Sequence, residues 1–356
     1  MRVLVAWADD SSPNLGVRAL GEGSADLLRR RWPDAEFVYM NYRRRPPQIA
    51  WGTGALLRER VTGTTGMMDW LAGFDLVWDT RSGDSLADIY GLPRHTTMSL
   101  VHEFATQAGA AVVLAPQTIG PFSTARGRAL ARRSLQRSSL VFARDPLSAA
   151  SAARMGRRPD AVTSDLVFGL DQPVAGTPRD VLLNVSGLLW QADDHIDASS
   201  YRDAIHAIVE GLLAEGRAVT LLPHVLESGN PDDDVPVSRE LAATYGDRVD
   251  LLIPADLAEA RSAIGSAQLV IGARMHACLN ALSTGTPTVA MAYSRKFAPL
   301  MESIGWDRVV SIADADDLAA AVLRHARQNT LAADAAAAQL RGQRLLEPLV
   351  DRLDAL

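Results

Sequence analysis

Four side chains carry the clearest chemical signal in this chain. Arg274 and His276 open an apolar helical stretch, and Arg295 and Lys296 follow the apolar strand after it. A guanidinium can grip a carboxylate or phosphate through two parallel bonds, while lysine supplies a point charge. Imidazole exchanges a proton near neutral pH. A helix start adds backbone N–H groups without helical partners and the positive end of the dipole. Brought to one place, these groups make a site for a small anion, a phosphate or a carboxylate. Taken singly, each also fits a solvated loop cation or a capping histidine.

The elements around them favour convergence. Residues 269–271 form an apolar run suited to a buried parallel strand, and Gly272 permits a sharp turn. Met275, Cys278, Leu279 and Leu282 then recur at helical spacing as one buried stripe. Gly285 and Pro287 stop that helix, and residues 288–292 form the next strand. In an open α/β sheet both strand ends lie on the rim where ligands bind. Cys278 is the single cysteine, so it forms no internal disulfide, and its place on the stripe reads as core.

Gly272-Ala273-Arg274-Met275-His276, an alanine-rich helix, and Gly285-Thr286-Pro287 resemble the signature of the polysaccharide pyruvyl transferases. These enzymes transfer an enolpyruvyl unit from phosphoenolpyruvate to a sugar, usually leaving a pyruvate ketal. Further similarities extend from Asn14 to Lys296. Asn14-Leu15-Gly16 is similar to the family's first loop, although Val17 stands where an acidic residue is common. Asp79-Thr80-Arg81-Ser82-Gly83-Asp84-Ser85 resembles the family's glycine-rich turn, with Asp84 replacing a glycine. Pro116-Gln117-Thr118-Ile119-Gly120-Pro121 and Arg144-Asp145-Pro146-Leu147-Ser148 resemble two more family segments.

The resemblance implies that Arg274, His276 and the Met275 N–H hold phosphoenolpyruvate. It implies that Arg144 contacts the same substrate from across a cleft. His276 is the better general acid, because a guanidinium is a poor one at neutral pH. Lys296 and Arg295 neutralise charge at the lip, and His224 ends another strand on that side. Ser82, Gln117, Thr118 and Asn14 supply groups for substrate hydroxyls. Asp84 reads either as the proton acceptor for a sugar hydroxyl or as a helix N-cap. Asp165 could hold Arg144 in position, and Asp145 before Pro146 fits an N-cap. No metal ligand set is evident and none is required in principle. Phosphoenolpyruvate is a co-substrate, and no cofactor is expected.

The chain has 356 residues, long for one core. The strand–helix alternation restarts after 169–179, which holds two prolines and two glycines. The expectation is an α/β protein with two Rossmann-like parallel-sheet domains facing across a cleft, like the B-type glycosyltransferases. Residues 1–170 form the acceptor side, 171–330 the phosphoenolpyruvate side, and 331–356 a last helix, kinked at Pro348, that packs back on the first domain. Residues 51–65 are expected as a flap, 227–236 as an exposed acidic loop, and Asp314 as the cap of a helix over 314–326.

The net charge of −6 argues against a general nucleic-acid binder. The start reads as a strand rather than a signal peptide, and no apolar run approaches a membrane span, so a cytoplasmic protein is expected. The acceptor is expected to be a sugar, a lipid-linked sugar or a nucleotide-sugar, with peripheral membrane contact only through a lipid-linked one. Arg43-Arg44-Arg45 reads either as a solvated loop or as a contact for an anionic acceptor. Oligomeric state is open. Two other functions fit the same architecture: a nucleotide-sugar-dependent glycosyltransferase, or a non-catalytic sugar- or nucleotide-binding relative.

Overall fold

The computed structural model describes residues 1–42, 44–46, 49–191 and 197–356. The chain packs as two compact units. One comprises 1–11, 20–170 and 344–356, and the other 12–19 and 171–343. The segment 12–19, with Asn14 and with Gly16 in the first turn of the helix Leu15–Arg29, therefore belongs to the second unit, and the chain's last residues belong to the first. Among the described residues no helix is long and apolar enough to cross a membrane.

The first unit holds a parallel sheet of β1 (Arg2–Ala6), β2 (Glu36–Met40), β3 (Leu76–Asp79), β4 (Ala111–Gln117), β5 (Leu140–Ala143) and β6 (Ala161–Val162). Its order is β2-β1-β3-β4-β5-β6. The second holds β7 (Arg179–Asn184), β8 (Val219–Leu221), β9 (Val249–Leu251), β10 (Ala267–Gly272), β11 (Thr288–Ala292) and β12 (Val309–Ser311). Its order is β12-β11-β10-β7-β8-β9. Strand order reverses between β1 and β3 in one sheet and between β7 and β10 in the other. Doubly wound sheets bind ligands at the carboxyl ends beside such a reversal.

The central strands are continuous apolar runs because helices cover both faces. Val3, Leu4, Val5, Val113, Leu182, Ile271 and Val289 are fully buried. Cys278 is buried as expected, and burial pushes its thiol up to about 12, where it stays protonated.

Four local expectations need correction. The 51–65 stretch contains a helix, Thr53–Thr62, ended by Gly63 at φ 61°. Its Leu, Arg and Glu residues outweigh the flanking Gly and Thr. No helix starts at Asp84: a short 3-10 turn, Arg81–Gly83, precedes an irregular run, and the next α-helix is Leu92–Gln107. Asp317, not Asp314, caps the helix Leu318–Ala326. The last helix is two, Leu331–Arg344 and Glu347–Arg352, broken ahead of Pro348, which sits in the second one's first turn.

Candidate functional site

In the second unit the strand-order reversal puts the ends of β7 and β10 side by side. Gly272 must be small there, since a Cβ would lie 2.9 Å from the Cys278 sulfur. Arg274 adopts an extended backbone (φ −88°, ψ 124°) and caps the helix Met275–Ser283. Its N–H donates to Asn184 Oδ1 at 3.0 Å, which ties the helix start to the end of β7.

The guanidinium of Arg274 is held by a carboxylate of its own unit. Its Nε and Nη2 donate to Asp234 Oδ1 at 3.0 and 2.8 Å, and Nη2 also reaches the Asp232 carbonyl. The residue is only 8% exposed. An unpaired charge there would be costly, so the side chain takes a carboxylate. Burial opposes its charge, and the Asp234 carboxylate more than offsets that, raising its pKa.

Asp234 in turn accepts from Gly187 N, Asn184 Nδ2, His224 N and Val225 N at 3.0–3.1 Å. The 227–236 stretch is therefore not simply an exposed acidic loop. Asp233 and Asp234 are buried, and Asp234 opens the helix Asp234–Tyr245.

His276 lies in the first turn of the Met275–Ser283 helix and is half-buried. Gly16 packs against its ring so closely that a Cβ would fall 2.7 Å from Nδ1 and 2.8 Å from Cγ. Gly16 lies in the first turn of the helix Leu15–Arg29, and the entry to that helix is strapped down: Leu15 N donates to His224 O at 3.0 Å, and Leu226 N to Pro13 O at 2.8 Å. Asn14 Oδ1 accepts from Gly16 N at 2.9 Å, so Asn14 shapes this turn. This helix start thus serves as the wall against which the histidine is oriented.

His224 is buried, and its Nε2 lies 3.2 Å from Asn280 Nδ2. The amide can only donate, so Nε2 accepts and the ring is neutral with its proton on Nδ1. Burial, then the nearby His276 and Arg274, hold its pKa down at about 3. It supports the site through Asn280, whose Nδ2 also donates to the His276 carbonyl at 2.8 Å.

Lys296 and Arg295 follow β11 as expected. Lys296 is half-buried at the start of the helix Phe297–Ser303, and Arg295 is exposed. Two residues escaped the sequence reading. Ser186 and Ser294, just beyond β7 and β11, have buried hydroxyls without a hydrogen-bond partner among the described residues. Their signal was position: each stands two residues past a strand on this rim.

In the first unit Arg144 follows directly on β5 and is 1% exposed. Asp165 does hold it, accepting from Nη1 at 2.7 Å, while Thr118 Oγ1 accepts from Nε at 3.0 Å and Nη2 at 2.8 Å. Thr118 is thus an orienting group for Arg144. Asp145 caps the helix Pro146–Arg154 by accepting from Ser148 N at 2.7 Å. Gln117 is fully buried: its Nε2 donates to Asp79 O and Ala115 O at 3.0 Å, while its Oε1 has no hydrogen-bond partner among the described residues. Ser82 Oγ donates to Trp7 O at 2.9 Å, and Tyr90 donates its hydroxyl to Asp84 Oδ2 at 2.7 Å. Asp84 is half-buried and caps no helix. Of the basic loop, Arg44 pairs with Asp10, and Arg43 lies outside the described residues.

The family profile described as polysaccharide pyruvyl transferase matches residues 14–295. The chain belongs to this family. Among solved structures, this pyruvyl transferase family member is similar to Anabaena HepE in complex with UDP and glucose, at 13% identity over 100% of this chain and 98% of that one, TM-score 0.60. It is likewise similar to S. aureus MnaA with UDP, at 12% identity over 100% and 97%, TM-score 0.62. A third similar structure is the UDP-GlcNAc 2-epimerase of Methanocaldococcus jannaschii, at 12% identity over 99% and 100%, TM-score 0.57. At these identities the likeness establishes the fold. A search of curated proteins finds no match.

In this pyruvyl transferase family member, the matched span contains both rims: Asn14, Gly16, His224, Arg274 and His276 in the second unit, and Ser82, Asp84, Thr118 and Arg144 in the first. In the second unit, a fixed helix start, an oriented imidazole, a lysine and two unpartnered hydroxyls suit a compact, highly charged anion.

Proposed function

We propose that this protein moves an enolpyruvyl unit from phosphoenolpyruvate to a hydroxyl of a sugar in a cell-surface glycan precursor, releasing phosphate. The second unit takes the donor and the first takes the acceptor. The observation that carries this reading is the start of the Met275–Ser283 helix, where Arg274 is locked by Asp234 and His276 is wedged against Gly16. The helix N–H groups and Lys296 meet the donor's phosphate and carboxylate. Arg274, already paired, acts mainly by fixing that backbone.

His276 gives a proton to the methylene carbon of phosphoenolpyruvate, and the central carbon becomes an oxocarbenium-like electrophile. The acceptor hydroxyl forms a C–O bond to it and loses its proton, with Asp84 as the acceptor of that proton. The bond between the central carbon and the phosphate oxygen breaks, and phosphate leaves. A second sugar hydroxyl then adds to the central carbon and closes the ketal, its proton going to the departing phosphate. Arg144, held by Asp165 and Thr118, supplies fixed positive charge in the first unit.

A nucleotide-sugar reading has one specific support: HepE and MnaA, of similar fold, were solved with UDP. Thermal melts and calorimetry separate the two. Phosphoenolpyruvate is expected to raise the melting temperature, and His276→Ala to remove that effect. Stabilisation by UDP-glucose but not by phosphoenolpyruvate would overturn the assignment.

A further inference from the structure

The first sheet has its own reversal of strand order, between β1 and β3, and the ends of those strands carry an unusual turn. Arg81 (φ 46°), Ser82 (φ 51°) and Gly83 (φ 84°) are consecutive residues in the left-handed region. A non-glycine residue rarely adopts that conformation unless its surroundings impose it. Here a buried network does so. Asp79 Oδ2 accepts from Arg81 Nε and from His102 Nδ1, each at 2.9 Å, and Arg81 continues to Ser99 and Ser134. Burial opposes the Asp79 charge, yet Arg81 and His102 hold its carboxyl below the usual range.

Above that turn stands Arg94, in the first turn of the helix Leu92–Gln107. Its Nε donates to Ser85 Oγ at 3.1 Å and its Nη2 to Ser82 Oγ at 3.4 Å. The guanidinium carbon lies 4.8 Å from the Tyr42 ring centroid and 5.8 Å from that of Tyr90. Unlike Arg81, Arg144 and Arg274, Arg94 has no carboxylate within ion-pair distance among the described residues. The Tyr42 hydroxyl is buried without a hydrogen-bond partner among the described residues. Burial pushes its pKa up against the pull of Arg94, Arg81 and Arg45, so it remains a donor.

A half-buried arginine lacking a counter-ion, flanked by two ring faces and beside an unsatisfied hydroxyl donor, is built to receive an anion. The position, at the strand-order reversal, is where sheets of this kind bind phosphorylated ligands. We propose that Arg94, Tyr42 and Ser85 bind the phosphate or diphosphate of a phosphorylated sugar acceptor. This rests on reading the first unit as the acceptor side. The diphosphate could belong to a nucleotide-sugar or to a polyprenyl-linked sugar.

Calorimetry on the full chain tests this with inorganic pyrophosphate, UDP and farnesyl diphosphate as probes. The expected result is binding of pyrophosphate and of at least one organic diphosphate. That binding weakens tenfold or more in Arg94→Gln, recovers in part in Arg94→Lys, and is unchanged in His276→Ala. UDP alone among the organic probes marks a nucleotide-borne acceptor, farnesyl diphosphate alone a lipid-borne one, and both together the shared diphosphate; each supports the site. Tyr42→Phe, expected to weaken binding several-fold, reads the same site should Arg94→Gln fail to fold. No binding by any probe, or equal binding by wild type and the Arg94 and Tyr42 variants, overturns the proposal. Loss in His276→Ala alone also overturns it, while phosphoenolpyruvate titrations of that variant judge the donor site separately.

Discussion

Asp234 holds Arg274 through both Nε and Nη2, at 3.0 and 2.8 Å, on a single carboxylate oxygen. Its other oxygen takes the N–H groups of His224 and Val225 at 3.1 and 3.0 Å. One carboxylate thereby fixes the ends of β7, β8 and β10 relative to the helix start. Asp234→Ala would leave the Arg274 charge buried and alone, a loss of about 3–5 kcal/mol. Asp234→Asn keeps the shape but not the charge and should fall between. Urea unfolding measures both; a loss under about 1 kcal/mol in Asp234→Ala contradicts the role given to this pair.

Gly16→Ala tests the wedge behind His276. Alanine is the better helix former by about 0.5–1 kcal/mol, so local propensity alone would stabilise the variant. The clash at 2.7 Å from Nδ1 instead forces the ring or the helix start to shift. The expected outcome is a tenfold or greater loss of turnover with a change in Tm of only a few degrees. Unchanged turnover would show that ring placement does not depend on Gly16.

His224 makes a prediction about acid stability. Its pKa is lowered from 6.5 to about 3 in the folded chain, first by burial and then by His276 and Arg274. Below pH 6.5 the unfolded chain binds a proton that the folded chain refuses. Stability is therefore full above that pH and lost as pH falls towards 3, by at most about 1.4 kcal/mol per pH unit for this one proton. His224→Gln retains an acceptor for Asn280 and removes the titration. Urea midpoints between pH 7 and 4 should fall less steeply in the variant than in wild type. Parallel curves would contradict a neutral buried His224.

Asp84→Asn separates acceptor activation from donor binding. Its Oδ2 takes the Tyr90 hydroxyl at 2.7 Å, which fixes the carboxylate on the first unit's rim. Losing a general base should slow turnover about a hundredfold or more, with phosphoenolpyruvate affinity unchanged. Near-normal turnover would remove Asp84 from the chemistry.

Much of the fold was legible. The run 269–271 falls inside β10 and the run 288–292 coincides with β11, because a buried parallel strand is a bounded apolar run. β6 and β12, of two and three residues, are too short to show a period. The helix Leu92–Gln107 was hidden because it buries His95, Thr97, Ser99, His102 and Glu103 along with its apolar residues, so no apolar stripe stands out. At the site, the motif residues were legible as types, but their partners were not. Asp234 is one acid in an acidic stretch, and only the fold shows that it meets Arg274 and four other donors from distant positions. Gln117 is legible as a donor and acceptor, but that its Nε2 is spent on the Asp79 and Ala115 carbonyls shows only in the fold.

The most direct measurement is a crystal structure of the full chain with phosphoenolpyruvate. The expected result is the donor's anionic groups at the N–H groups of Met275 and His276, with the methylene carbon facing the His276 ring and Lys296 within ion-pair reach. Phosphoenolpyruvate bound away from this helix start, or absent at millimolar concentration while UDP-glucose occupies it, would contradict the assignment.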